Sequence, residues 1–159
     1  MDAETRVEGQ PAARQRDLRL WLRLLTCTTL IETEIRRRLR REFAVTLPRF
    51  DLMAQLEKAG DGMTLGEVSR RMMVSNGNVT GLVEALVAQG LVERAADPSD
   101  RRATLIRLSA EGRRDFGRMA RAHQAWIAEI FAGLAASETD ALMALLSRTK
   151  LSARTALSG

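Results

Sequence analysis

Aromatic side chains are scarce in this chain: two tryptophans, four phenylalanines and no tyrosine in 159 residues, with one cysteine and one histidine. The last two shortages exclude the most chemistry. A zinc site needs about four Cys, His or carboxylate ligands, and no such cluster is present. The sequence also lacks a Walker glycine loop, a GxGxxG after a strand and a Ser/His/Asp set, so no enzyme, metal or cofactor is expected. No apolar run approaches the ~20 residues that cross a bilayer. The first dozen residues carry acids and lack the apolar core of a secretory signal, which makes a cytoplasmic protein without membrane association the expectation.

What is there fits a single globular domain, with 45% hydrophobic and 28% charged residues. The net charge of +5 permits a polyanionic partner without proving one. Its distribution matters more. Between Asp61 and Leu108, Arg70, Arg71, Arg94, Arg101, Arg102 and Arg107 are balanced by Asp61, Glu67, Glu84, Glu93, Asp97 and Asp100. The excess sits around Arg36, Arg37, Arg38, Arg40 and Arg41, at the end of a long helix. There the cations either face solvent and the negative helix end, or reach DNA phosphates.

Periodicity orders the chain. Residues 1–13 carry no helical pattern and read as a flexible tail. Leu18, Trp21, Leu22, Leu25, Ile31, Ile35 and Leu39 recur at helical spacing from about Arg14 to Phe43. Thr46, Leu47 and Pro48 open a second helix that ends at Gly60-Asp61-Gly62. Thr64 and Glu67 have the spacing of a capping box ahead of Leu65, Val68 and Met72. A further helix opens at Ser75, with Val79, Leu82, Val83, Leu86 and Val87 on one stripe and Gly90 as its stop. Its other face offers Ser75, Asn76, Asn78, Thr80 and Gly81, short polar groups suited to base edges and phosphates. Asparagine also favours caps, so Asn76 and Asn78 keep both readings.

After Gly90 the period becomes alternating. Two strand-like runs, Leu91 to Arg94 and Ala103 to Leu108, flank Asp97-Pro98-Ser99-Asp100-Arg101-Arg102, which makes a hairpin. Arginines at its tip can enter a narrow minor groove. Asp100 and Arg102, two residues apart, point to one side and can pair there. From Ser109 a long helix carries Phe116, Met119, His123, Trp126, Ile127, Ile130 and Leu134, with His123 reading as a core histidine. Ser137, Glu138, Thr139 and Asp140 cap a last helix expected to fray after Leu151. The fold class is therefore mainly α with a small β-hairpin wing: a winged helix-turn-helix over 46–109, with helical dimerisation segments at 14–45 and 110–155. Those terminal stripes exceed what so small a lobe can cover, so they should pack against a second copy.

Leu65-Gly66-Glu67-Val68, Ser75-Asn76-Gly77-Asn78-Val79-Thr80-Gly81-Leu82-Val83, Gly90-Leu91-Val92-Glu93-Arg94, Asp97-Pro98-Ser99-Asp100-Arg101-Arg102 and Arg107-Leu108-Ser109-Ala110-Glu111-Gly112 together resemble the MarR family of bacterial transcriptional regulators. The resemblance implies a two-fold dimer of interdigitated terminal helices on a pseudo-palindromic stretch of double-stranded DNA. It implies that Arg102 enters the minor groove while Asp100 orients it, with Ser75, Asn76, Asn78, Thr80, Arg94 and Arg101 as further DNA-binding candidates. It also implies a small aromatic or phenolic effector in a cleft for which Cys27, Ile31, Phe50, Met53 and Phe116 are candidates. The expected function is a homodimeric repressor released by that effector.

Two alternatives stand beside it. Some relatives sense peroxide through a first-helix cysteine with nearby tyrosines. This chain has no tyrosine, and Cys27 reads better as a packed small hydrophobe. The other alternative, a winged helix that binds protein without DNA, predicts an apolar recognition face and no arginine wing.

Overall fold

A computed structural model describes residues 12–158. Its elements are α1 (Ala12–Phe43), α2 (Leu47–Ala59), β1 (Met63–Thr64), α3 (Leu65–Met72), α4 (Asn76–Ala88), β2 (Val92–Ala96), β3 (Thr104–Leu108), α5 (Ala110–Phe131) and α6 (Ala136–Leu157). The fold is mainly α with a small antiparallel sheet, as the periodicity predicts. The expected tail at 1–13 lies almost wholly outside the described residues; Ala12 and Ala13 already belong to α1. No single described helix is long and apolar enough to cross a membrane.

The chain divides into two compact units, the first running to His123 and the second beginning at Gln124. The first unit is built around α2. Leu52, Met53 and Leu56 are fully buried with Val68 of α3 and Val79, Val83 and Leu86 of α4, and Ile35 and Leu39 of α1 are buried as well. These are the positions at which apolar residues recur every three to four steps, so the pattern and the burial have one cause. Thr64 Oγ1 accepts from the Glu67 N–H at 3.2 Å and Glu67 Oε2 accepts from the Thr64 N–H at 2.8 Å, the reciprocal cap expected. Gly90 takes φ 73°, a left-handed turn that favours glycine, directly after Gln89, the C-cap of α4.

The sheet has three strands in the order β1-β3-β2, one more than the hairpin expected. β1 is two residues long and pairs Met63 with Ile106 and Thr64 with Leu105. Gly62, at φ 120°, permits the approach: a β-carbon there would lie 3.0 Å from Ile106 O. In the hairpin Val92 faces Leu108 and Ala96 faces Thr104.

In the second unit α6 runs to Leu157 instead of fraying after Leu151. The hydroxyls of Thr155 and Ser158 donate back to the carbonyls of Leu151 and Arg154 at 3.1 and 2.7 Å, which adds side-chain bonds to the last turns. The helix begins at Ala136, one residue before the expected cap, with Glu138 Oε2 accepting from the Ala135 N–H at 2.8 Å. No described residue of α6 is buried; Leu142, Met143, Leu145, Leu146 and Leu151 are exposed.

Candidate nucleic-acid interface

The turn between α3 and α4 presents the candidate reading helix. Buried Ser69 donates its hydroxyl to Val74 O at 2.5 Å, which pins the turn from inside. Met73 takes the left-handed conformation (φ 56°, ψ 38°) and is 91% exposed. Neither residue is among the sequence-based candidates. A small polar residue inside an otherwise apolar stripe was the available signal for Ser69.

Ser75 caps α4, its Oγ accepting from the Asn78 N–H at 3.4 Å. Ser75, Asn76 and Asn78 are exposed, and the two side-chain amides form no hydrogen bond among the described residues. Thr80 is half-buried and donates its hydroxyl to Asn76 O at 2.8 Å. Val79, Val83 and Leu86 hold the opposite face in the core. The polar groups are thus fixed by the burial of their neighbours. The exposed face is polar, unlike the apolar one required by a winged helix that binds only protein.

The wing follows. Asp97 Oδ1 accepts from the N–H and hydroxyl of Ser99 at 2.8 and 2.7 Å, and these bonds hold its carboxyl below the usual carboxylate range. Asp100 and Arg102 sit in the turn between the strands, and the pairing expected of them differs in kind. Asp100 Oδ1 accepts from the Arg102 backbone N–H at 2.9 Å, so the carboxylate shapes the turn rather than holding the guanidinium. Among the described residues neither Arg101 nor Arg102 has an ion pair, and both are exposed.

Two other arginines of this lobe are matched internally. Arg107 and Glu93 pair across the strands at 2.7 Å, and Arg94 lies 3.9 Å from Glu84 of α4. Arg94 therefore bridges β2 to the reading helix and is less free than Arg101 or Arg102. On α1, Arg36 pairs with Glu32, Arg37 and Arg38 with Glu34, and Arg41 with Glu42. Hydrogen bonds from Arg37 and then Arg38 lower the Glu34 carboxyl to about 2. Arg36, Arg37, Arg40, Thr46 and Leu47 line a cleft of about 330 Å³.

Of the five effector candidates, two are in ring contact and the others differ in exposure. Phe50 and Phe116 meet at 5.5 Å between ring centroids, and Phe50 also meets the His123 ring at 5.0 Å. Met53 is fully buried, Ile31 half-buried, and Cys27 exposed. Cys27 as a packed hydrophobe is thus corrected within the single chain: of α1 only Ile35 and Leu39 are buried, and Cys27 lies two turns earlier. Burial lowers the pKa of His123, against the opposing pull of Asp51. Desolvation likewise raises the carboxyl of Asp51, opposed mainly by Arg36. No group of three or more His, Cys, Asp or Glu able to hold a metal occurs among the described residues.

Comparison with known proteins agrees with this geometry. The profile of the MarR family matches residues 45–103. The uncharacterized HTH-type transcriptional regulator YsmB of Bacillus subtilis (strain 168) is 34% identical over 90 residues, covering 57% of this chain and 61% of its own length. The chain thus spans less than two thirds of that relative. A MarR family transcriptional regulator from Silicibacter pomeroyi is 30% identical, with a TM-score of 0.76 over 90% of this chain and 99% of the other. A mutant MarR from E. coli, crystallised with operator DNA, shares the fold: its TM-score is 0.67 at 24% identity, over 79% of this chain and 92% of its own. From the winged lobe outward, the chain belongs to the MarR family of transcriptional regulators.

Proposed function

We propose that this regulator is a homodimeric, sequence-specific repressor that a small-molecule effector releases from its operator. In this reading residues 46–109 bind DNA, while 14–45 and 110–155 form the dimer. The observation that carries it is the pairing of an exposed polar helix start, Ser75, Asn76 and Asn78, with a wing whose Arg101 and Arg102 have no ion pair among the described residues. Short amides suit base edges in a major groove, and free guanidiniums suit the negative potential of a narrow minor groove. The fold shared with an operator-bound MarR supports the same use.

Dimerisation is favoured by exposed apolar side chains on two helices: Leu18, Leu20, Trp21, Leu25 and Leu30 on α1, and Leu142, Met143, Leu145, Leu146 and Leu151 on α6. Stripes of that length on a lone chain are a target for a second copy. Two-fold symmetry then requires half-sites about one helical turn apart. An effector acts by favouring a dimer whose spacing no longer fits.

The test is binding to the DNA upstream of the chain's own coding sequence over a range of salt concentrations, with and without candidate aromatic acids. Specific binding with a steep negative salt slope is the expected result. Equal affinity for any duplex defeats the sequence-specific reading, and operator binding by a monomer defeats the dimer.

A further inference from the structure

The run Ser109 to Gly112 stands out in the sequence, yet it belongs to neither the reading helix nor the wing tip. It grips the end of α4 instead. Ser109 donates its N–H to Leu91 O at 3.0 Å and its hydroxyl to Gly90 O at 2.6 Å, while its Oγ accepts from the Gly112 N–H at 3.0 Å. Gly112 closes from the other side. A β-carbon there would lie 1.9 Å from Leu91 O and 2.9 Å from Leu91 C, so only glycine lets these backbones meet. Leu91 in turn donates its N–H to Leu86 O in α4 at 3.0 Å. The path from α5 to α4 thus runs through backbone groups and the Ser109 side chain.

We propose that Ser109 and Gly112 are positioning residues that lock the first turn of α5 to the C-terminal end of the reading helix. They thereby set the angle at which Ser75, Asn76 and Asn78 meet DNA. This rests on the DNA-reading function proposed above. The lever is long enough to matter. A helix of 13 residues spans about 20 Å, so a tilt of roughly 10° at its locked end moves the Ser75 end by about one base-pair step. An ordinary N-cap has no such consequence, and the two roles separate chemically. Aspartate at 109 keeps an acceptor for the Gly112 N–H but has no proton to donate to Gly90 O. Threonine keeps both.

The experiment compares full-length wild type, Ser109→Thr and Ser109→Asp on operators whose half-site separation is normal, one base pair shorter or one longer. Each such change rotates one half-site by about 35° relative to the other. Wild type and Ser109→Thr should lose about tenfold or more in affinity on the altered operators. Ser109→Asp should bind all three within a few-fold of one another, with the amides of Leu86 to Leu91 exchanging faster. A Ser109→Asp protein that keeps the wild-type spacing penalty overturns the proposal. Should wild type itself ignore spacing, the operator reading fails, and the amide exchange then decides the latch: rates unchanged by Ser109→Asp sink it.

Discussion

Asp100 holds the backbone N–H of Arg102 at 2.9 Å and leaves its guanidinium without an ion pair among the described residues. Arg102→Ala should therefore weaken operator binding by about 1–3 kcal/mol with fold and dimer intact. Asp100→Ala should cost less, by loosening the turn. Asp100→Asn should cost least, because the amide oxygen can still accept the Arg102 N–H. Titration of labelled operator with the three variants checks the order. Wild-type affinity for Arg102→Ala at several salt concentrations would show that the wing plays no part.

Met73 occupies a left-handed backbone conformation with 91% of its surface exposed. Its side chain contributes little packing to offset that conformation. Met73→Gly should stabilise the fold by about 0.5–1 kcal/mol, since glycine adopts positive φ without steric cost. Chemical denaturation measures it; a destabilised variant would show that the side chain packs in the assembled protein.

Removal of residues 137–159 should convert the protein to monomer or aggregate in sedimentation. It deletes Leu142, Met143, Leu145, Leu146 and Leu151 together. A soluble dimer with full operator affinity contradicts the two-ended interface.

Glu34 has a folded-state pKa of about 2 against an ordinary 4.5, first through hydrogen bonds from Arg37 and then from Arg38. Its contribution to stability is complete above pH 4.5 and disappears as pH falls toward 2. Glu34→Gln should thus lower Tm at pH 7, and the two melting curves should converge as pH approaches 2. A Tm difference that does not change with pH refutes the charge pairing.

Cys27 is exposed, with no hydrogen-bond or ion-pair partner among the described residues. Cys27→Ser should change stability by less than about 0.5 kcal/mol, the usual range for a surface site. Peroxide should release wild type and variant from operator alike. If peroxide released wild type alone, regulation through this thiol would replace release by a small-molecule effector.

Much of the lobe was legible because its signals are local. The Thr64–Glu67 box, the Ser75 cap and the Gly90 stop each depend on residues a few positions apart, and the backbone obeys them. β1 was invisible because two residues carry no period; Met63 and Thr64 are strand only through their partners Ile106 and Leu105, some forty residues on. For a related reason the Asp100–Arg102 contact differs in kind from the side-chain pair expected. Side-chain alternation applies to strands, and the tip is a turn in which a carboxylate finds the nearest backbone donor first. The grouping of Cys27 with Phe50 and Phe116 came from family analogy, and spacing along three helices carried no information to test it.

The Thr80 hydroxyl spends its only proton on Asn76 O, whereas the Ser75 oxygen receives the Asn78 N–H and keeps its own proton. Five residues apart on one helix, two similar alcohols thus acquire opposite polarity. Thr80 offers lone pairs alone, which match the exocyclic amino groups of cytosine and adenine and reject the guanine O6 and N7 edge. Ser75 can still give a proton to a purine N7 or a phosphate oxygen. A helix with no charged side chain in its first turn thereby gains an electrostatic grain from two hydroxyls bonded to its own backbone.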